Sequence, residues 1–342
     1  MNEKHWKQLL SIVNGKKIEN PAVGFIIDSP WLPGWAGINI LDYYTNDELW
    51  LAANLKALKT FPDVMFLPGF WSEYGMCSEP SAFGSRCSFP LNEFPHAHET
   101  IASMEDIDKM TSPNPKTDGL APFILNRLKL NQERIEKAGY QIRFSVSRGP
   151  LNIAAYLMGT TGFLTGMMMH PEKIKKLLEL ITVYLEEWHL IQQKTFPSID
   201  GMLVLDDLIG FMGEEEFVEF GLPLFKRLYS PKVSVKFLHN DADCMASVKY
   251  LPDMGVNLFN MGFQPSLNEL KSYTANKVTM LGNIPPRDVL AKGTPEEVRN
   301  SAMSLKKSLD SPDHVVFSCG GGMPPGVSTA NIQAFVEEIK SK

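Results

Sequence analysis

Eight short apolar runs recur along the chain, at residues 22–27, 63–67, 141–146, 201–205, 233–238, 256–259, 277–281 and 314–318. Each is continuous rather than alternating, and is rich in β-branched residues, Leu, Met or Phe. That is the pattern of a strand covered on both faces. Most segments between them carry helical spacing instead. Over residues 171–193, Ile174, Leu177, Leu178, Ile181, Tyr184, Leu185 and Trp188 fall on one face at intervals of three and four. A capping box opens the segment at Thr294, with Pro295 in the first helical position and Glu297 reaching back; Val298, Ala302, Leu305 and Leu309 form its inner face. The last helix starts near Ser328 and buries Ile332, Phe335, Val336 and Ile339. Further helices are expected at about 2–14, 46–59, 117–138, 214–229, 242–251 and 266–274.

Alternating strands and helices imply an α/β protein with a parallel sheet. Eight strands favour closure into a single (β/α)8 TIM barrel, one domain spanning residues 1–342. The competing arrangement is an open doubly wound sheet, but no Gly-x-Gly-x-x-Gly follows the first strand. Residues 69–116, rich in Pro, Gly, Ser and aromatics, are long for a loop. Coming after the second strand, they form a lid-like insertion over the expected barrel mouth.

Composition narrows the function classes. There are 33 basic and 39 acidic residues, a net charge of −6, with no clustered basic face of the kind that nucleic acid requires. No signal peptide is visible at the start, and no stretch of about 18 uncharged apolar residues could cross a membrane. Four cysteines are too few for a disulfide scaffold in 342 residues. A cytoplasmic protein is the expectation, with each thiol free for metal or catalysis.

Catalytic groups of such a barrel stand at the carboxyl ends of its strands. Here those ends offer Asp28, Arg148, Asp206 with Asp207, His239 with Asp241, Asn260, Asn283 and Cys319. Asp28, Asp206 and Asn283 are the candidate catalytic groups. Trp31, Trp71, Tyr74 and Arg148 are the candidate substrate contacts. His239 and Cys319, ending the fifth and eighth strands, face one another across a mouth, and imidazole with thiolate suits zinc. Asp241 is the candidate third ligand, with Cys244 and Glu73 as alternatives. Asp241 could instead cap the helix that comes next, and Cys244 could be a buried residue upon it. The run Ser318 to Gly322 allows close backbone approach to a ligand.

Several of these pieces resemble the uroporphyrinogen decarboxylase superfamily. They are Phe237-Leu238-His239, Met254-Gly255-Val256-Asn257, Leu281-Gly282-Asn283-Ile284, the tract from Gly293 to Val298, Ser318-Cys319-Gly320-Gly321 and Ala330-Asn331-Ile332, with Asp206, Asp207 and Pro223 upstream. The resemblance is good over the C-terminal half and weak before it. It implies the barrel and one of two chemistries. One branch decarboxylates porphyrinogen acetate groups without a cofactor, gripping them with an arginine-rich motif after its first strand; here that stretch, from Ile27 to Trp31, has no arginine. The other, such as methylcobamide:coenzyme M methyltransferase, works with zinc and a separate corrinoid-binding protein. Its zinc is held by a His-x-Cys pair and a later Cys at the eighth strand. His239 and Cys319 match the first and last of these, and Asp241 replaces the middle one. The activity this resemblance implies is that of a zinc-dependent methyltransferase. It would move a methyl group between a small molecule, a thiol or methoxylated compound, and a corrinoid (cobalamin) on a partner protein. The alternative is a cofactor-free decarboxylase.

Overall fold

The computed structural model describes residues 1–16 and 20–341. Its main sheet holds eight parallel strands: β1 (Ala22–Ile26), β2 (Val64–Leu67), β3 (Phe144–Arg148), β4 (Gly201–Leu205), β5 (Val235–Asn240), β6 (Leu258–Met261), β7 (Thr279–Ile284) and β8 (Val315–Cys319). Their order is β2-β1-β8-β7-β6-β5-β4-β3. Laid flat, seven strand spacings would hold β2 and β3 roughly 34 Å apart. Instead the two ends meet. Gln141, just before β3, exchanges two backbone hydrogen bonds with Met1, and Met1 N lies 3.1 Å from where a Cβ would sit on Gly69, just after β2. One apolar cluster draws Ile26, Met65, Phe144, Leu203, Phe237, Leu258, Leu281 and Val316 from all eight strands into the interior. The fold is a (β/α)8 barrel.

A first helix, α1 (Glu3–Val13), lies against this interior with Trp6, Leu9, Ile12 and Val13 buried, Trp6 meeting Phe144 edge-on at 5.6 Å. Outside the strands, Leu177, Leu178, Ile181, Leu185 and Trp188 of the helix Pro171–Thr195 are buried as their spacing predicts. The capping box at Thr294 is formed, with both reciprocal hydrogen bonds.

The structure corrects the sequence at several places. Two helices after β3, Pro150–Met158 and Thr160–Met169, were not expected. Their residues are apolar on nearly every side, so no stripe marks a helical period. The helix expected at 242–251 begins only at Val248. Before it, Asn240 Oδ1 accepts the Ala242 N–H (2.9 Å) and Asp243 Oδ1 the Met245 N–H (2.9 Å), local turns that compete with helix. Asp241 therefore caps no helix there. The helix expected at 214–229 is widened over Phe217–Gly221, where Pro223 downstream has no N–H to donate back. Residues 69–116 hold a 3₁₀ turn (Pro80–Phe83), a ribbon pairing Cys87–Ser88 with His96–Ala97, and a helical turn (Asp106–Lys109).

Candidate active site

The carboxyl ends of the strands open into a cavity of about 520 Å³. The loop after β1 contributes Asp28, β3 Arg148, β5 His239, the residue after β5 Asp241, and the turn after β4 Asp207. The lid-like stretch adds Trp71, Glu73, Met76 and Phe94, so it does border the mouth.

The centre of the site is a cluster of three. The potential ligand atoms of Asp207, His239 and Asp241 all lie within 4.8 Å of one another, the one such group among the described residues. β5 runs through Asn240, so His239 sits within the ladder, paired in register with Leu205 and Asn260. Its ring orientation is set by Asn260. Asn260 Nδ2 donates to Leu281 O at 2.7 Å, which turns Oδ1 toward His239 Nδ1, also at 2.7 Å. An amide oxygen only accepts, so the imidazole proton sits on Nδ1. Nε2 then presents its lone pair to the carboxylates, 3.7 Å from Asp207 Oδ1. Two carboxylates facing an unprotonated ring nitrogen form a donor set that suits a divalent cation such as zinc.

Asp207 also fixes its neighbour by accepting the Asp241 N–H at 3.0 Å. Burial first, then the Asp207 charge, raises Asp241 above the ordinary carboxyl range, while His239 pulls the other way. Behind Asp241 stands the glycine turn after β8. A Cβ on Gly321, at φ +69°, would meet Asp241 Oδ2 at 2.9 Å, and one on Gly320 would meet Phe263 N at 2.4 Å. The close approach these glycines permit is thus to neighbouring loops of the same chain.

Cys319 lies outside the three-residue cluster. It is wholly buried, with Sγ 3.8 Å from Gly321 O. Burial pushes its thiol up to about 12, and Asp28 and Asp241 add to the rise. Cys244 is buried among apolar side chains and lies outside the cluster too.

Asp28 and Glu73 form a second acidic group in the same cavity. Glu73 Oε1 accepts the Ser29 N–H at 2.8 Å, and Asp28 Oδ1 is buried without a partner among the described residues. Burial, then Glu73 and Asp241, push Asp28 well above the usual range, against the pull of Arg148. Arg148, Arg287 and Lys292 supply positive charge along the wall. Arg287 and Lys292 belong to the turn after β7 and had no strand-end signature in the sequence.

The remaining candidates stand elsewhere. Asp206 is buried and accepts the N–H groups of Leu151 (2.9 Å) and Asn152 (3.1 Å), at the start of the helix Pro150–Met158. Asn283 donates to Pro265 O at 2.7 Å and ties down the loop after β6. Trp31 is a core residue, stacked on Phe66 and donating to Val327 O at 3.0 Å. Tyr74 faces a different cleft on the outside of the barrel. None of these four lines the mouth.

The family model described as uroporphyrinogen decarboxylase (URO-D) matches residues 7–342. The chain belongs to the uroporphyrinogen decarboxylase family. Among its relatives, uroporphyrinogen decarboxylase of Chlorobium limicola is 24% identical over 258 residues, covering 71% of this chain and 70% of that protein. The Magnetococcus marinus protein of the same name is 22% identical over 282 residues, with 77% and 75% covered. Among solved structures, a methyltransferase from Methanosarcina mazei superposes with a TM-score of 0.81 at 17% identity, covering 97% of each chain. A B12-independent methionine synthase from a Shewanella species, in complex with selenomethionine, gives 0.52 at 11% identity, covering 93% of this chain and 96% of that one. At these identities the two structures speak for the shared fold alone. No helix among the described residues is long and apolar enough to cross a membrane.

Proposed function

We propose that this member of the family is a zinc-dependent methyltransferase, moving a methyl group between a small molecule and a corrinoid carried by a partner protein. The observation that carries the reading is the Asp207, His239 and Asp241 cluster, with a histidine lone pair turned into it at the centre of the barrel mouth. His239 and Asp241 would hold the metal. Asp207, which completes the cluster, would be the third ligand, and Cys319 the alternative third ligand if the turn after β8 shifts. Bound zinc acts as a Lewis acid, easing loss of a proton from a thiol or polarising the oxygen of a methyl ether. Asn260 keeps the histidine nitrogen available, Asp207 holds the Asp241 backbone, and Trp71 offers an apolar wall. Asp28, whose carboxyl is raised by burial and then by Glu73, stands beside Glu73 as a candidate proton carrier. The fold of the methyltransferase from Methanosarcina mazei supports the reading without deciding it.

A second reading is decarboxylation of a carboxylated substrate. Its support is the name of the curated relatives and the three cations, Arg148, Arg287 and Lys292, in the same cavity. Against it, the loop after β1 brings Asp28 and no arginine to the mouth, and so offers no positive charge to grip substrate carboxylates.

The two separate in one assay. Zinc-loaded protein is mixed with methylcobalamin and a panel of thiols, and with reduced cobalamin and methoxylated compounds. A zinc-dependent change in cobalamin absorbance supports methyl transfer. Carbon dioxide release that survives a chelator, with no absorbance change, overturns it in favour of the decarboxylase.

A further inference from the structure

A cleft of about 1020 Å³, larger than the mouth, opens on the outside of the barrel. It runs between the helices Ile40–Thr45 and Ala121–Lys137 and the end of Pro171–Thr195. One stretch of chain separates it from the mouth: Glu73 and Gly75 line the mouth, while Tyr74 between them lines the outer cleft.

Arg127 forms part of the cleft's lining although it is only 4% exposed. Its Nε donates to Asp47 Oδ1 at 2.7 Å and its Nη2 to the Tyr44 carbonyl, while Nη1 is buried with no partner among the described residues. The guanidinium lies against the rings of Trp50 (5.8 Å) and Tyr74 (5.4 Å). A buried charged donor left unpaired costs free energy until something accepts from it. Lys116 and Lys129 also line the cleft, and neither has a carboxylate partner among the described residues. Among the described residues of the lining Asp47 is the one acid, and it is already engaged by Arg127. Three cations therefore face one committed carboxylate. The rest is mainly apolar, with Leu41, Phe89 and Ile191, and with Phe123 left 61% exposed.

We propose that this cleft is a second binding site, for a small aromatic carboxylate. The excess positive charge selects an anion. The aromatic and aliphatic walls select an apolar, planar body over a phosphate or a sugar. The ring packs on Phe89 and Phe123, and the carboxylate takes up the charge of Lys116, Lys129 and Arg127. The site is distinct from the mouth yet joined to it: the Tyr44 hydroxyl donates to Ser29 Oγ at 2.7 Å, and the Ser29 N–H donates to Glu73 at 2.8 Å.

The test is calorimetric titration of the full chain with 2-naphthoate and with its neutral isostere, 2-naphthamide. Arg127 also anchors Asp47 and Tyr44, so the variants are Lys129→Glu and Phe123→Ser, both exposed positions whose replacement leaves the fold intact. Naphthoate binds the wild type, while naphthamide and either variant bind at least about tenfold more weakly, the loss expected for one charge-assisted contact or one apolar wall. Arg287→Ala, in the mouth, leaves the affinity unchanged. The proposal is overturned if the wild type does not bind naphthoate, if the amide binds equally, if both variants bind like the wild type, or if Arg287→Ala abolishes binding. A concentration-dependent dimer that Phe123→Ser dissolves would also overturn it, assigning the cleft to a second copy of the chain.

Discussion

His239 Nδ1 and Asn260 Oδ1 lie 2.7 Å apart, on adjacent parallel strands and in register. This bond decides which imidazole nitrogen is free, and so whether the mouth can hold a metal. It predicts that Asn260→Leu weakens zinc binding by about 10- to 100-fold, the usual cost of losing a group that orients a ligand. The folding cost should be smaller, about 1–3 kcal/mol, from the Leu281 carbonyl left without its donor. Competition with a chromogenic chelator measures the first and denaturant titration the second. Unchanged zinc affinity in a folded variant would remove Asn260 from the account.

The choice of third ligand is open to direct measurement. His239→Ala and Asp241→Ala should each lose stoichiometric zinc while keeping the fold, since affinity depends on ligand number and charge. Asp207→Asn and Cys319→Ser separate the remaining candidates. Loss of metal in Asp207→Asn alone supports the arrangement seen, and loss in Cys319→Ser alone supports a shifted turn. Elemental analysis of purified variants reads all four. Zinc retained by both His239→Ala and Asp241→Ala would dismiss the centre.

Gly321 tests the packing behind that centre. Its φ of +69° and a Cβ position 2.9 Å from Asp241 Oδ2 leave no room for a side chain. Gly321→Ala should cost about 1–2 kcal/mol from the left-handed backbone alone. It should also displace Asp241 and lower zinc affinity. A melting temperature and metal content equal to wild type would contradict this.

Much of this was legible in the sequence, and the failures share a cause. The eight apolar runs marked the eight strands because a parallel strand is buried on both faces and needs no second signal. Strand ends were less certain. β5 was expected to stop at Leu238 but continues through Asn240, which puts His239 inside the ladder. Between Asp206 and Asp207 sequence had no basis for choice. Adjacent residues on an extended chain point to opposite sides, and only the position of the helix Pro150–Met158 shows which side is the mouth. Trp31 and Tyr74 are aromatics near strand ends, as was expected of substrate contacts, yet one fills the core and the other faces the outer cleft. Arg287 and Lys292 carry no such signal, because they sit on the short wide helix Pro286–Ala291 and at its end, and the sequence does not specify which way that helix turns them.

Asp206 provides a check on that distinction. Its carboxyl accepts two N–H groups at the first turn of the helix Pro150–Met158, and these bonds oppose the burial that raises it well above the ordinary carboxyl range. Asp206→Ala should cost about 1–2 kcal/mol, the range of a lost helix cap. Turnover per folded molecule should change little, because Asp206 does not line the cavity. Loss of turnover without loss of stability would return Asp206 to the catalytic groups.

The barrel wall also carries a built-in sensitivity to acid. His189, on the helix Pro171–Thr195, is buried between two strand hydroxyls, with Nε2 2.8 Å from Ser147 Oγ and Nδ1 2.9 Å from Ser145 Oγ. Among the described residues no carboxylate faces it in hydrogen-bond range, and burial lowers it from 6.5 to about 3. The folded protein therefore keeps this ring neutral where the unfolded chain takes up a proton. The unfolded state binds more protons at low pH, so stability is fully present above about 6.5 and falls as pH drops toward 3. At about 1.4 kcal/mol for each tenfold step in proton binding, the loss approaches roughly 4 kcal/mol at the lower limit. Unfolding free energies measured by denaturant titration between pH 8 and 4 should show this decline. His189→Gln should be less stable than wild type at pH 8, having lost part of the hydroxyl network. Its stability should fall less steeply between pH 6.5 and 4, so that the two curves converge. Parallel curves across that interval would show that the acid sensitivity arises elsewhere, and His5, lowered to about 4 by burial and by nearby Lys4, would be the next group to replace.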